Sequence, residues 1–368
     1  MWSLIALIPQ ALPCAGLVTI DATSQIAASD AQQAILTVGD GEVSAEYRVR
    51  YTGNADDFAW IIPVPGKVET VEEGSDDRFE ELEALTAPGV GTIPAEDDAP
   101  GCGCGAAGKN DLAERGGAFD TGTFSDSTGV SVVGTGYAGA FQWTILEATE
   151  ADGLVQWLTD RGYDTSVSAP SIADYVEDPA GFSWVAVQLV PEEAATPNGG
   201  VLLSPLRITW SARDDGSLAI AYPARMARTS MLSEVRLELW VVAGSRVETG
   251  APWTSDRAWD AAWEIWAEAG ETAEDAYTGA LREVGGMRPA VAGVWGGVDD
   301  AGRYVTRYDT IVAPAVNAQD LVFAETGDRV EARTLIGVPA EDTSAASVLL
   351  LPLALTGWAL RRARRPRR

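Results

Sequence analysis

Asp40-Gly41 stands between two alternating segments, and no other stretch constrains the chain as tightly. Before it, Ala34, Leu36 and Val38 alternate with polar Gln33 and Thr37, with Ile35 out of pattern. After it, Val43, Ala45, Tyr47, Val49 and Tyr51 alternate with Ser44, Glu46, Arg48 and Arg50. Asp-Gly supplies the two positive-φ residues of a tight turn whose twist suits the flanking strands. A two-residue loop pairs Val38 with Val43 and Leu36 with Ala45, so turn chemistry and hydrophobic pattern agree on one register. The alternation predicts one apolar face and one polar face for this hairpin.

The same reasoning places the other elements. Phe58-Ala-Trp-Ile-Ile-Pro-Val-Pro reads as a strand stopped by Pro63 and Pro65. The spacing of Phe79, Leu82 and Leu85 predicts a helix from Asp76 to Leu85. Residues 88–128 are rich in Gly, Ala, Asp and Thr without a period and read as a long surface loop. One or two strands follow from Gly129 to Leu146, then a helix from Glu150 to Arg161 with Gly162 as its C-terminal glycine. Strands are expected at Phe182–Val190, Leu206–Ser211, Leu218–Tyr222 and Val235–Val242. In the last, Val235, Leu237, Leu239 and Val241 should face inward, with Arg236 and Glu238 outward. Residues 256–285 read as two helices broken at Gly270. Short strands around Tyr304–Val312, Asp320–Ala324 and Arg329–Leu335 close the body. The expected fold class is α+β: a mostly antiparallel, β-rich body with a few packed helices, plus a single apolar helix at the C-terminus.

That last helix comes from Ala345 to Leu360, a stretch with no charged residue. It includes Leu349, Leu350, Leu351, Leu353, Leu355 and Trp358. Arg361 and Arg362 follow, the first of six arginines in the final eight positions. As a helix such a segment spans about 24 Å, short of the roughly 30 Å hydrocarbon core. Snorkelling arginines and an interfacial Trp358 cover part of the difference. Six Leu and one Val contribute only roughly −3 to −4 kcal/mol towards insertion, so membrane entry is marginal. The arginines would stay cytoplasmic, leaving the body outside. At the other end, the apolar run Leu4–Ile8 reads as a short signal peptide over residues 1–16, although no Lys or Arg precedes it. A lipoprotein acylated at Cys14, with Pro13 a poor fit to such a cleavage site, and a simple first strand are the alternatives.

Charge and composition exclude several chemistries. The chain carries −28, and without the six terminal arginines its 54 acidic residues face 20 basic ones. Such a surface repels phosphate backbones, which argues against nucleic acid as a partner. There is no histidine, which rules out Ser-His-Asp and Cys-His catalysis and His-based zinc sites. No cofactor and no metal site is expected.

Most short motifs have a structural explanation. Gly134-Thr-Gly-Tyr-Ala-Gly139 spells G-x-G-x-x-G, but Ala140-Phe-Gln-Trp-Thr-Ile-Leu after it reads as strand, whereas a dinucleotide site needs a helix there. A Gly-rich turn is expected instead. Asp120-Thr-Gly lacks the second Asp-Thr-Gly that an aspartic-protease dyad requires. The acid pairs Asp56-Asp57, Asp97-Asp98, Asp214-Asp215 and Asp299-Asp300 do not fit the spacing of a calcium loop and read as solvated turn residues, with weak structural Ca²⁺ binding as the alternative. Cys14, Cys102 and Cys104 are the three cysteines. In an oxidising compartment a structural disulfide from Cys14 to one of the other two is expected, with a redox or metal role, or unpaired thiols, as alternatives. Trp259, Trp263 and Trp266 fall at i, i+4 and i+7. On a helix they share one face, either as a core-facing stripe or as an exposed platform for a ligand.

Three ordered stretches are similar to a known family: Asp57-Phe-Ala-Trp-Ile-Ile-Pro-Val-Pro; Cys102-Gly-Cys-Gly; and Ala148 to Tyr163, followed by Ser204-Pro-Leu-Arg-Ile-Thr-Trp. Together they resemble an uncharacterised bacterial family, domain of unknown function 2330, over roughly Cys14 to Ala243. The resemblance implies export, a signal peptide, a cysteine at the mature start where Cys14 stands, often a C-terminal anchor, and a β-rich body. It implies no activity and no functional residues. The resulting plan is a signal peptide at 1–16 and a β-rich family-like domain at 17–250. A Trp-rich helical extension with short strands follows at 251–337, then a stalk at 338–344 and a transmembrane or sorting tail at 345–368. The expected role is binding or structural, at the outer face of a membrane, with an envelope glycan or protein as partner. The alternative is a carboxylate-dependent hydrolase acting on envelope glycan or peptide.

Overall fold

The computed structural model describes residues 16–19, 27–28, 31–48, 50–52, 58–93, 124–125, 129–166, 168–179, 181–190, 201–202, 204–213, 215–228, 234–250, 254–255, 263–268, 270–285, 290–312 and 319–339. Residues 1–15 of the expected signal peptide, all three cysteines, Trp259, Asp120-Thr-Gly, most of the expected Gly-rich loop, the expected stalk from residue 340 and the apolar stretch 345–360 lie outside these residues.

The hairpin forms as its sequence dictates. Strands β1 (Ala31–Gly39) and β2 (Glu42–Arg48) pair Val38 with Val43 and Leu36 with Ala45. Asp40 and Gly41 both adopt positive φ, at 53° and 81°. The remaining major elements, in chain order, are β3 (Phe58–Val64), β4 (Lys67–Glu73), α1 (Asp76–Thr86), β5 (Gly89–Ile93), β6 (Val130–Ala138), β7 (Phe141–Ala148), α2 (Ala151–Thr159), α3 (Ala169–Val176) and β8 (Ser183–Leu189). They continue with β9 (Leu206–Ser211), β10 (Val235–Ala243), β11 (Trp263–Trp266), α4 (Ala273–Gly285), β12 (Ala290–Val298), β13 (Tyr304–Val312) and β14 (Ala332–Pro339).

The larger sheet has eleven strands, with its main path in the order β11-β14-β12-β13-β10-β1-β2-β9-β4. A six-stranded sheet contains β3, β8, β7 and β6 in that order, with the strand Gly16–Thr19 beside β3. Pairing is antiparallel except where β1 meets β10, where β11 and β5 meet β14, and where Thr254–Ser255 meets β12.

Alternation along the strands shows how these sheets stack. In β3, Trp60, Ile62 and Val64 join Leu36, Ala45, Ile208, Leu239 and Tyr308 of the larger sheet in one core. Ile61 points the other way, onto Leu154 and Leu158 of α2 and Ile172 and Tyr175 of α3. On the larger sheet, Ile35, Trp240, Val242 and Val305 face Phe79 and Leu82 of α1. Ala292, Val294, Ile311 and Ile336 face Tyr277, Leu281 and Val284 of α4. The layers are therefore helices, sheet, sheet, helices, and both sheets are buried on both faces.

This stacking explains the departures from the expected layout. Ile35 breaks the alternation because its own face is covered by α1. Arg236 and Glu238, expected to face solvent, lie under helices, and Glu238 is buried. Residues 89–93, assigned to the surface loop, form β5 because β14 offers an edge to pair with. Residues 338–339, assigned to the stalk, end β14 in the same pairing. Pro63 does not stop β3, which runs on to Val64. The neighbouring strand Gly16–Thr19 pairs only as far as Ile61, so no described partner on that side misses the absent N–H. The expected helix before Gly270 is replaced over residues 263–266 by strand β11, which pairs with β14. Edge pairing there overrides the helical spacing of the tryptophans. The G-x-G-x-x-G glycines lie mostly within β6, where a Cβ on Gly136 would fall 2.4 Å from the Trp143 ring. Only Gly139 serves the turn, and strand β7 follows as expected.

Candidate functional site

Two polar assemblies sit on the helix-covered face of the larger sheet. The first is a closed ion cluster. Even-numbered residues of β10 and odd-numbered residues of β13 point to that face, which places Glu238 opposite Asp309. The Arg307 guanidinium grips Asp309 through Nε to Oδ1 and Nη2 to Oδ2, both 2.8 Å, and Nη2 reaches Glu238 Oε1 at 3.0 Å. Its Nη1 donates to Thr86 Oγ1 at 3.1 Å, and Trp240 Nε1 donates to the same hydroxyl at 2.9 Å. Tyr277 Oη donates to Asp309 Oδ2 at 2.6 Å, and Gln33 Nε2 to Glu238 Oε2 at 2.7 Å. Arg236 joins from the side, 2.9 Å from Glu238. A second group of charges lies under α1, where Glu46 takes both Arg78 and Arg207.

Burial, and then the neighbouring Asp309, raises the Glu238 carboxyl above its ordinary value, while Arg236 and Arg307 oppose the shift. Burial and Asp309 likewise push the Tyr277 hydroxyl well above its ordinary value. Asp309 is 0% exposed, so no substrate reaches this carboxylate pair. Its chemistry is that of a buried structural tie, in which Arg307, Asp309, Glu238, Tyr277 and Thr86 hydrogen-bond to one another while Arg236 Nε is left without a hydrogen-bond partner among the described residues.

The second assembly is open. A groove of about 670 Å³ lies between β11 and α4. Ala276, Gly279, Ala280 and Glu283 of α4 line it at i, i+3, i+4 and i+7, and so form one stripe of the helix. The small residues make the depression: an added Cβ on Gly279 would meet nothing within 4 Å. Trp263 and Trp266 line it from β11, together with Glu264; Glu268 and Glu271 come from the turn that follows. Trp263 is half-buried and packs near Tyr277, with ring centroids 6.3 Å apart. Trp266 is 59% exposed. The Glu271 carboxylate accepts the Glu268 backbone N–H at 2.9 Å, which shapes that turn.

Of the sequence-derived candidates, Trp263 and Trp266 are brought together here, on a strand instead of a helix face. Trp259 and the cysteines Cys14, Cys102 and Cys104 lie outside the described residues, as do Leu349 to Arg362 of the tail. The sequence reading did not single out Glu264, Glu268, Glu271 and Glu283. The small-residue stripe on α4 was the available signal, and it gains meaning only once β11 is known to run beside it. No group of three or more metal-ligating side chains occurs among the described residues. No described helix is long and apolar enough to cross a membrane.

The comparisons with known proteins bear on family and not on activity. The family described as an uncharacterized protein conserved in bacteria, domain of unknown function 2330, matches residues 8–324. The chain belongs to this family. No curated protein matches it. Among solved structures, that of baculovirus P35 aligns with 83% of this chain and 92% of its own, at 8% identity and a TM-score of 0.31. A likeness that slight carries no argument about fold or function.

Proposed function

We propose that this member of the family is an exported protein, held at the membrane by its C-terminal segment, whose body binds a ligand through the groove between β11 and α4. The observation that carries the binding role is Trp266, a large indole 59% exposed on the wall of a groove of about 670 Å³. That volume falls within the about 300–1,000 Å³ usual for small-molecule sites. Leaving an aromatic of that size in water forgoes burial that the rest of the fold uses at Trp60, Trp184, Trp210 and Trp240. Export and tethering are supported by the uncharged Ala345–Leu360 stretch and the arginines after it. In an oxidising compartment, Cys14 bridges to Cys102 or Cys104.

Fractionation of the producing cell with surface proteolysis, followed by mass spectrometry of the mature termini, tests the placement. A full-length soluble product inside the cell, with free thiols, overturns it. A carboxylate-dependent hydrolase remains the second reading, because four glutamates line the same groove. Turnover of an envelope glycan or peptide that disappears when any one of them is changed to Gln would favour it.

A further inference from the structure

We infer that the groove between β11 and α4 selects a small aliphatic amine, held by its ammonium groups on the groove's carboxylates and by its carbon chain on the tryptophans. This rests on the binding role proposed above and specifies its ligand. The first argument is the charge of the lining. Glu264, Glu268, Glu271 and Glu283 line the groove, and no Lys or Arg among the described residues does.

The second argument is that the acids this fold buries, and some that it exposes nearby, carry arginine partners. Glu46 is matched by Arg78 and Arg207, Asp309 by Arg307, and Glu238 by Arg236 and Arg307. Even the outer Glu274 and Glu234 of this region take Arg236 and Arg282. Among the described residues, no basic side chain pairs with Glu264, Glu268 or Glu283. A groove lined by like charges, with no counter-charge among the described residues, favours a cation from outside.

The third argument is the character of the wall. Trp is the strongest cation–π partner among the side chains, and two of them line this groove beside Ile265, Ala276, Ala280 and Val284. An inorganic cation would use only the carboxylates. A sugar would use the indoles but leave the charge uncompensated. An alkyl amine uses both.

Titration calorimetry on the purified full chain provides the test, with three five-carbon probes that differ only at their ends: cadaverine, pentane-1,5-diol and glutarate. Cadaverine should bind, and the diol and diacid should bind at least about tenfold more weakly. Raising salt from about 0.05 to about 0.5 M should weaken cadaverine, because screening acts on partly exposed charges. Gly279→Leu fills the groove at a position with open space around the added side chain, so the variant should fold normally and lose binding. Glu283→Gln and Trp266→Ala should each weaken binding about three- to tenfold.

The amine assignment is overturned if the diol or glutarate matches cadaverine, if Gly279→Leu binds as the parent does, or if cadaverine fails to bind up to about 10 mM. A trimer of N-acetylglucosamine separates this failure from that of the binding role. If the trimer binds the parent and not Gly279→Leu, the groove is a ligand site of another class. If neither probe binds, the groove is no ligand site for either.

Discussion

Glu238 and Asp309 stand opposite one another on β10 and β13, two carboxylates buried side by side in the middle of the larger sheet. Their repulsion is tolerable because one planar guanidinium, that of Arg307, touches both. The same residue reaches Thr86 on α1, while Asp309 holds Tyr277 on α4. The cluster therefore ties both covering helices to the sheet, and its members span residues 33 to 309.

Arg307→Met should cost about 3–5 kcal/mol of stability, because it leaves two buried carboxylates with Arg236 alone. Arg307→Lys should fall between the parent and this variant. A single ammonium cannot copy the forked grip on Asp309 while also reaching Glu238 and Thr86. Urea denaturation of the three proteins measures the order, and a Met variant as stable as the parent would show the cluster to be dispensable.

The same pair predicts a pH dependence. Burial raises the Glu238 carboxyl above its ordinary 4.5, so the folded chain keeps that proton to higher pH than the unfolded chain does. Within that window the folded state binds more protons. This contribution to stability is thus complete below about 4.5 and declines as pH rises through the raised value. Glu238→Gln removes the titration. The stability of the parent relative to this variant should fall as pH climbs from 4.5 towards neutrality, and parallel curves would refute it.

Two glycines on α4 should respond in opposite directions to alanine. Gly279 has open space where a Cβ would go, and Gly279→Ala should gain about 0.8–1 kcal/mol from helix propensity. Gly285 ends the helix against β13, where a Cβ would fall 2.0 Å from Thr310 Oγ1 and 2.6 Å from the Ile311 carbonyl oxygen. Gly285→Ala should lose about 1–3 kcal/mol through overpacking. Thermal melts of both variants against the parent settle the signs.

The hairpin turn gives a local prediction. Gly41 adopts a φ of +81°, where a β-branched side chain is strained. Gly41→Val should cost about 1–2 kcal/mol, whereas Asp40→Asn should be nearly neutral, since Asn tolerates the same backbone region. Equal losses in the two variants would mean that the turn conformation does not matter for stability.

Legibility in the sequence followed the range of the interactions involved. The β1–β2 register was readable because turn and pattern both lie within twenty residues. The strand at Tyr304–Val312 and the helix ending at Gly162, whose φ is +87°, were readable for similar local reasons. Arg236 and Glu238 were misplaced because a polar residue in an alternating strand defaults to solvent, and only the arrival of α1, α4 and Arg307 makes that face habitable for charge. Trp263 and Trp266 were singled out, with Trp259, by a helical spacing that edge pairing with β14 overrode over residues 263–266. The glutamates of the groove carried no local signal, since an acidic residue beside a turn looks alike whether or not a hollow lies next to it.

By itself, the sequence determined the hairpin register, the β-rich character, the family and the absence of histidine chemistry. Each of these follows from composition or from residues near one another in the chain. Tertiary structure alone decided that both sheets are covered on both faces, that an arginine from β13 neutralises acids from two strands, and that an exposed tryptophan borders a groove beside a helix stripe of small residues. Those are contacts across dozens to hundreds of positions, and burial and charge pairing at such distances depend on which surfaces meet after folding.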